Sequence, residues 1–237
     1  MEKITRAFVV ANEQKPIARR IKKEAEGFLR SQGVKISASS PKLIVTVGGD
    51  GTVLFSKRFY GTPFFSIGSS TSFICQSNFS DWKRKLSSFL KRPKVERRLL
   101  LQSSIGKKKL PLSLNEIGIR NPEPRVLSLH LAADGRNYAF RADGILFSTP
   151  TGSPAYCYSC GGKQMAKNDT RFQAVAIAPF RRLFPPRIFT ASAVCLLRIS
   201  GKERPQLFID GQIAGKMSQK ETLVVKASRL RFCFAAI

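Results

Sequence analysis

The chain has 237 residues, 43% of them hydrophobic and 24% charged, proportions of a protein that buries a core, so global disorder is excluded and one large or two small domains are expected. No apolar run approaches the roughly 18 residues of a membrane span, and no cleavage-site pattern follows Met1-Glu2-Lys3-Ile4. Lysine and arginine number 41 against 15 acidic residues, and the resulting +26 draws polyanions: nucleic acid, anionic lipid, polyphosphate or nucleotides.

In chain order, Ile4–Val10 reads as a buried strand. A helix follows from Pro16, which suits a first helical turn, to Gly33, with Ile17, Ile21, Ala25 and Phe28 on one face. Lys42–Val47 is a β-branched run that stops at Gly48-Gly49. Then come a helix over Thr52–Phe59 and an apolar strand over Pro63–Ile67. This alternation predicts an open α/β sheet. Asp81–Lys94 carries Trp82, Leu86, Phe89 and Leu90 at helical spacing and reads as the link between two halves. Beyond about residue 94, short apolar runs recur, among them Leu112–Ile119, Val126–Ala132, Ile145–Phe147, Val194–Ile199 and Gln206–Ile209. Turn pairs such as Asp134-Gly135 and Asp210-Gly211 separate them. The expected fold is thus an α/β N-terminal lobe plus a β-rich second lobe, divided as 1–94 and 95–221.

Three segments carry chemistry. Val45-Thr46-Val47 runs into Gly48-Gly49-Asp50-Gly51-Thr52, a strand that ends in glycines at the start of a helix with a carboxylate at the crest. Glycines let backbone approach a phosphate closely, and a following helix offers free N–H groups. The spacing is not that of a Walker loop. The plain alternative is an Asp-Gly turn joining strand to helix. A second segment, Arg141 to Tyr156, clusters hydroxyls around Pro150 and Gly152 before an aromatic ring. Such groups bond ribose or phosphate oxygens, or equally cap a short helix. The third, Asn115-Glu116, is a polar pair ending a strand, suited to a ribose diol or to a sheet edge.

Together and in this order these segments resemble the NAD kinase family, along most of the chain from Gly48–Thr52 through Asn115-Glu116 and Asp143–Tyr156 to Asp210-Gly211-Gln212. The glycine motif is shared with a wider superfamily that includes diacylglycerol kinases and 6-phosphofructokinases. The Ser-Thr-Pro-Thr-Gly-Ser core at Ser148–Ser153 is more specific. The resemblance implies a two-lobe kinase fold in which the chain end, about 222–237, returns to the first lobe, with a strand near Arg229–Ala235. It implies that Asp50 activates the 2′-hydroxyl of the adenosine ribose of NAD, with Gly48, Gly49, Gly51 and Thr52 facing phosphate and Arg141 a further phosphate contact. Asn115 and Glu116 then hold ribose hydroxyls. Asp143 contacts a base or carboxamide, while Thr151, Ser153, Ala155 and Tyr156 form the adenine side, with Phe73 and Gln212 nearby. ATP or polyphosphate would be the donor, Mg²⁺ would ride on its phosphates, and a homodimer or homotetramer is implied.

The sequence also departs from the family pattern. Ser66–Ile74 is one residue shorter than the usual second glycine segment and lacks its Asn, and Pro154 stands where threonine is usual. Two other readings were weighed. A lipid or other small-alcohol kinase of the superfamily would not need Asn115-Glu116 or the hydroxyl loop. A basic nucleic-acid-binding module would not need Asp50, and the basic residues, densest at Lys83–Lys85 and Lys107–Lys109, are dispersed without interleaved aromatics. Nucleic acid is therefore not the expected partner, nor is a membrane. His130 is the single histidine, and Cys157/Cys160 form one unpaired CxxC, a weak basis for metal or redox chemistry. Five cysteines in no regular framework fit a reducing, cytoplasmic setting.

Overall fold

The computed structural model describes residues 3–59 and 61–237. Two compact units emerge, one made of the chain up to Arg97 together with Arg231–Ile237, the other of Arg98–Leu230. No helix among the described residues is long and apolar enough to cross a membrane.

In the first unit, β1 (Arg6–Ala11), β2 (Lys35–Ile36), β3 (Leu43–Val47), β4 (Phe64–Gly68) and β5 (Ser77–Asn78) form a parallel sheet in the order β2-β1-β3-β4-β5. Helix α1 (Pro16–Ser31) and helix α3 (Trp82–Lys91) cover one face. Helix α2 (Asp50–Ser56) connects β3 to β4, followed by a 3₁₀ turn at Lys57–Phe59. Both β3 and β4 are buried at every position, as strands covered on two faces must be. Helix α1 begins at Pro16 as expected and ends before Gly33 at φ +75°, the left-handed position that glycine fills without strain. Its buried stripe is Ala18, Ile21, Ala25 and Leu29. Ile17, expected inside, is 39% exposed.

Two further expectations change. Helix α2 starts on Asp50 rather than Thr52, because Gly49 already turns the chain at φ +114°. The segment read as a link between halves is α3, and it belongs to the first unit's core. Trp82, Leu86 and Phe89 are buried there, and Trp82 meets Phe28 edge to face at 5.9 Å.

The second unit holds two antiparallel sheets. One contains β9 (Leu127–Ala133), β10 (Arg136–Ala142), β14 (Val194–Ser200) and β17 (Leu223–Ala235) in the order β10-β9-β14-β17, with β6 (Val95–Ile105) and β7 (Lys108–Lys109) forming a hairpin. The other has the order β13-β12-β11-β8-β15-β16, from β8 (Glu116–Arg120), β11 (Gly144–Ser148), β12 (Phe172–Ile177), β13 (Arg187–Phe189), β15 (Gln206–Ile209) and β16 (Gln212–Lys216). Alternation puts Leu127, Leu129, Leu131, Cys195, Leu197 and Ile199 into a core shared with Ile117, Ile119, Ile145 and Phe147 of the second sheet. Strands β11 and β12 are buried at every position. Their outer face is closed by Leu146, Val175 and Ile177 packed with Cys157 of α4 (Tyr156–Ser159).

The chain passes between units within β6 and again within β17. The far end of β17 pairs in parallel with β4 at Phe234 and Phe64, and Phe232 lies 4.5 Å from Phe64. Strand β6, eleven residues long, was not expected, because its first half is charged. The edge strand β16, exposed throughout, carries no alternation to read.

The position of α3 is open to test. Leu86→Ala should destabilise the protein by about 2–5 kcal/mol, since a fully buried leucine leaves a cavity. Urea unfolding followed by the fluorescence of Trp82, the single tryptophan, reads this directly, and a helix that merely linked two halves would show almost no change.

Candidate active site

In the first unit the site is built on the β3–α2 turn. Gly48 and Gly49 adopt φ +140° and +114°, a region that side chains avoid. A Cβ on Gly48 would stand 2.7 Å from Thr52 Oγ1 and 2.8 Å from Asn12 Cβ, so only glycine fits. The Lys15 ammonium donates to the Gly48 carbonyl at 3.4 Å, and the Gly48 N–H donates to Ile67 O at 2.9 Å. Thr52 is buried beneath the turn, while Gly51 faces open space.

The Asp50 carboxylate is held from the loop after β4. One oxygen accepts the Phe73 N–H at 2.9 Å, and the other accepts the Ile74 N–H at 3.1 Å and the Cys75 thiol at 3.6 Å. Burial, then the Asp50 charge, push the Cys75 thiol up to about 12, against a smaller opposing contact from Ser72. Cys75 therefore stays protonated and donates. The Phe73 ring is 66% exposed, free of packing that would fix it.

In the second unit the backbone of residues 113–116 and the loop 149–153 are locked together. Thr149 N–H donates to Asn115 O at 2.9 Å, its hydroxyl donates to Leu114 O at 2.5 Å and accepts the Gly152 N–H at 3.1 Å. Gly152 lies flat on Asn115, where a Cβ would come within 2.3 Å of the Asn115 carbonyl oxygen. Asn115 and Thr151 are each 8% exposed, and Asn115 Oδ1 and Thr151 Oγ1 have no hydrogen-bond partner. Two orphaned oxygens in one buried loop cluster are costly unless something meets them. Glu116 is buried beside them at the start of β8, not at a strand's end as expected.

The other sequence candidates are more scattered within this unit. Ser153 is fully buried, its hydroxyl donating to Pro150 O and accepting the Met165 N–H, both at 2.8 Å. Ala155 caps α4, and Tyr156 packs its ring 6.0 Å from that of Phe208. Burial raises the Tyr156 phenol, Cys160 adds to this, and Arg120 opposes it. Asp143 precedes β11, whereas Glu116 pairs with Ser148 at the strand's other end, five residues or about 16 Å away at a rise of about 3.3 Å per residue. Arg141, on β10, lies over the Phe180 ring at 5.3 Å. Gln212 is exposed at the start of β16.

Sequence reasoning passed over Thr149, Gly152 and Asp210 as individual actors. Burial pushes the Cys157 thiol to about 12 and raises Cys160, which makes both poor thiolates. Among the described residues no group of three His, Cys, Asp or Glu side chains gathers around a common point.

The fold has counterparts of known structure. Yeast NADH kinase complexed with NADH superposes with a TM-score of 0.90 at 20% identity, covering all of this chain and 84% of that one. An NAD kinase from Archaeoglobus fulgidus in complex with ATP gives 0.82 at 23% identity, covering 98% and 93%. These define an NAD(H) kinase fold. The model of the ATP-NAD kinase C-terminal domain matches residues 114–236, more than half of the chain. The NAD kinase of Nitratidesulfovibrio vulgaris is 32% identical over 213 residues, 84% of this chain and 71% of that protein. That of Treponema denticola is 27% identical over 94% of this chain and 88% of its own length. The chain belongs to the NAD kinase family and is a phosphotransferase, and nothing in these likenesses supports a lipid kinase or a nucleic-acid-binding module.

The loop packing yields a stability test. Gly152→Ala should cost about 1–3 kcal/mol by overpacking, read as a lowered midpoint in thermal unfolding. Gly51→Ala, with nothing within 4 Å, should lose no stability.

Proposed function

We propose that the chain transfers the terminal phosphoryl group of ATP, or of inorganic polyphosphate, to the 2′-hydroxyl of the adenosine ribose of NAD, giving NADP. The observation that carries this reading is the pair of buried, partnerless oxygens on Asn115 and Thr151 next to buried Glu116. A ribose diol and an adenine amine bring the donors that such oxygens lack.

In this reading Asp50 is the general base. The new bond joins the ribose 2′-oxygen to phosphorus, the bond to the leaving phosphate oxygen breaks, and the hydroxyl proton passes to the carboxylate. A carboxylate offers about four lone-pair directions. Phe73, Ile74 and Cys75 take three of them, which fixes the group and leaves one direction for the acceptor hydroxyl. Gly48, Gly49, Gly51 and Thr52 form the turn that admits the donor phosphates, and Arg141 adds positive charge. Asn115 and Glu116 hold the ribose, Asp143 meets the far base or carboxamide, and Thr151, Ala155 and Tyr156 line the adenine side with Phe73 and Gln212. Ser153, its hydroxyl engaged internally, serves by shaping the loop. In this reading 1–94 with 222–237 is the nucleotide-binding lobe and 95–221 the NAD-binding lobe.

Mg²⁺ carried on the donor phosphates supplies charge neutralisation at the leaving group. A cation that keeps phosphate and water ligands needs no cage of protein side chains, and no metal-holding group of three His, Cys, Asp or Glu gathers among the described residues. Five free thiols support a cytoplasmic setting. The exposed apolar side chains Leu183, Val194 and Leu196 support contact between copies, hence a homodimer or homotetramer.

Asp50→Asn should fold normally and lose about 10²-fold or more in kcat, with nucleotide affinity nearly unchanged. NADP formation from NAD, ATP and Mg²⁺ measures this, and near-normal turnover would remove Asp50 from its role. The excess charge is separable from the chemistry. Lys107, Lys108 and Lys109 are exposed at the β6–β7 hairpin, and changing all three to glutamate should slow substrate capture at low salt only, because charges are screened over about 8 Å at physiological ionic strength. A loss of kcat at every salt concentration would place these lysines in the active site instead.

A further inference from the structure

Two hairpins of this chain turn on the same dipeptide. Asp134-Gly135 joins β9 to β10 with φ values of 48° and 71°, and Asp210-Gly211 joins β15 to β16 with 48° and 74°. Both are the two-residue turns in which Asp-Gly is favoured for its backbone alone. The side chains differ completely. Asp134 is exposed to solvent, whereas Asp210 is 5% exposed.

The buried carboxylate faces a bend of backbone before β8. One oxygen accepts the Ser113 hydroxyl at 2.9 Å, the Asn115 N–H at 2.8 Å and the Glu116 N–H at 3.2 Å. The other accepts the Leu114 N–H at 3.0 Å. In return the Asp210 N–H donates to the Glu116 carbonyl at 2.9 Å. Consecutive N–H groups converging on one anion form a nest, and charge-assisted bonds of this kind are stronger than neutral ones. Turn formation explains the dipeptide but not this burial, since Asp134 makes the same turn without it.

We propose that Asp210 is a positioning residue for NAD: by gathering the backbone N–H groups of residues 114–116 it sets where the Asn115 and Glu116 side chains stand, and so determines affinity for the acceptor but not for the phosphoryl donor. The inference rests on the reading of Asn115 and Glu116 as the ribose contacts. Thr149 and Gly152 hold the same segment from the opposite loop, so the bend is clamped from both sides. The carbonyls of Leu114 and Asn115 are tied to Thr149 and that of Glu116 to the Asp210 N–H, while the three N–H groups meet one carboxylate.

The experiment is a double-mutant cycle on the 237-residue chain with NAD and ATP. Asp210→Asn places an amide where an acceptor stood and should raise KM for NAD about 10- to 100-fold, the scale of losing a positioned contact, while KM for ATP stays within about twofold. In an Asn115→Ala background the same change should add little, because residues acting through one another are not additive. Ser113→Ala, which removes one donor and no backbone bond, should shift KM for NAD in the same direction by less. Asp134→Asn, on the matching turn, should be silent. An Asp210→Asn enzyme with lower thermal stability but unchanged KM for NAD, or full additivity with Asn115→Ala, overturns the proposal. Should Asp210→Asn fail to fold, an unchanged KM for NAD in Ser113→Ala overturns it equally. If Asn115→Ala itself leaves KM for NAD unmoved, the ribose assignment falls and this proposal with it. If Asn115→Ala raises KM for NAD and the Asp210 and Ser113 variants do not, the proposal alone falls.

Discussion

Buried backbone N–H groups need partners, and those of Leu114, Asn115 and Glu116 find theirs in one side chain. All three N–H groups meet the Asp210 carboxylate, away from water, where an unsatisfied donor costs about 1–3 kcal/mol. Meeting that demand fixes several other things. It sets the start of β8, which pairs with β15 at Ile117 and Ile209 and with β11 at Glu116 and Ser148. It also leaves the carbonyls of Leu114 and Asn115 to face Thr149, so the hydroxyl loop is positioned from the same few bonds. A one-residue slip in β8 would turn Ile117 and Ile119 out of the core.

The first unit solves a similar problem with the roles reversed. There the carboxylate to be placed is Asp50, and the donors come from backbone at Phe73 and Ile74. The loop that supplies them follows β4 and is rich in serine, with Ser69, Ser70 and Ser72 ahead of Phe73 and Ile74. Gly68 still lies under Ser72 and Cys75 so closely that a Cβ would come within 2.4 Å of Ser72 Oγ. This compact loop thus anchors the carboxylate through its backbone. In each unit a carboxylate bonded to backbone amides gives definite geometry to residues that propensity alone would leave loose.

Much of the fold was legible because the signals were local. Glycines at Gly48-Gly49, a proline at the head of α1 and Asp-Gly turns punctuate the chain where backbone geometry demands them. Gln206–Ile209 coincides with β15. Strand β6 escaped because charge in Val95–Arg98 masks its pairing, and α3 was misread as a link because amphipathic spacing says that a helix packs, not against what. The pair Asn115-Glu116 and the hydroxyl loop stood out by composition. Asp210 is visible within the Asp210-Gly211-Gln212 match but its link to residues 113–116 is not, since its dipeptide reads as an ordinary hairpin and its partners lie 94–97 residues away. Long-range hydrogen bonding leaves no periodic trace in a sequence.

The path of the chain has a consequence for its folding. Residues 98–230 form one contiguous unit. The unit that precedes it in the sequence is completed by residues 231–237, where Phe232 and Phe234 bring fully buried rings against Phe64 and the edge of β4. Closure of the first unit therefore waits on residues that follow the whole of the second in sequence. Until then Phe64 has no cover on that side, an apolar surface of the sort that chaperones hold and aggregates recruit. Contacts this distant in sequence slow folding, so the sheet beneath the glycine turn depends on the least local pairing of its unit, Phe64 with Phe234.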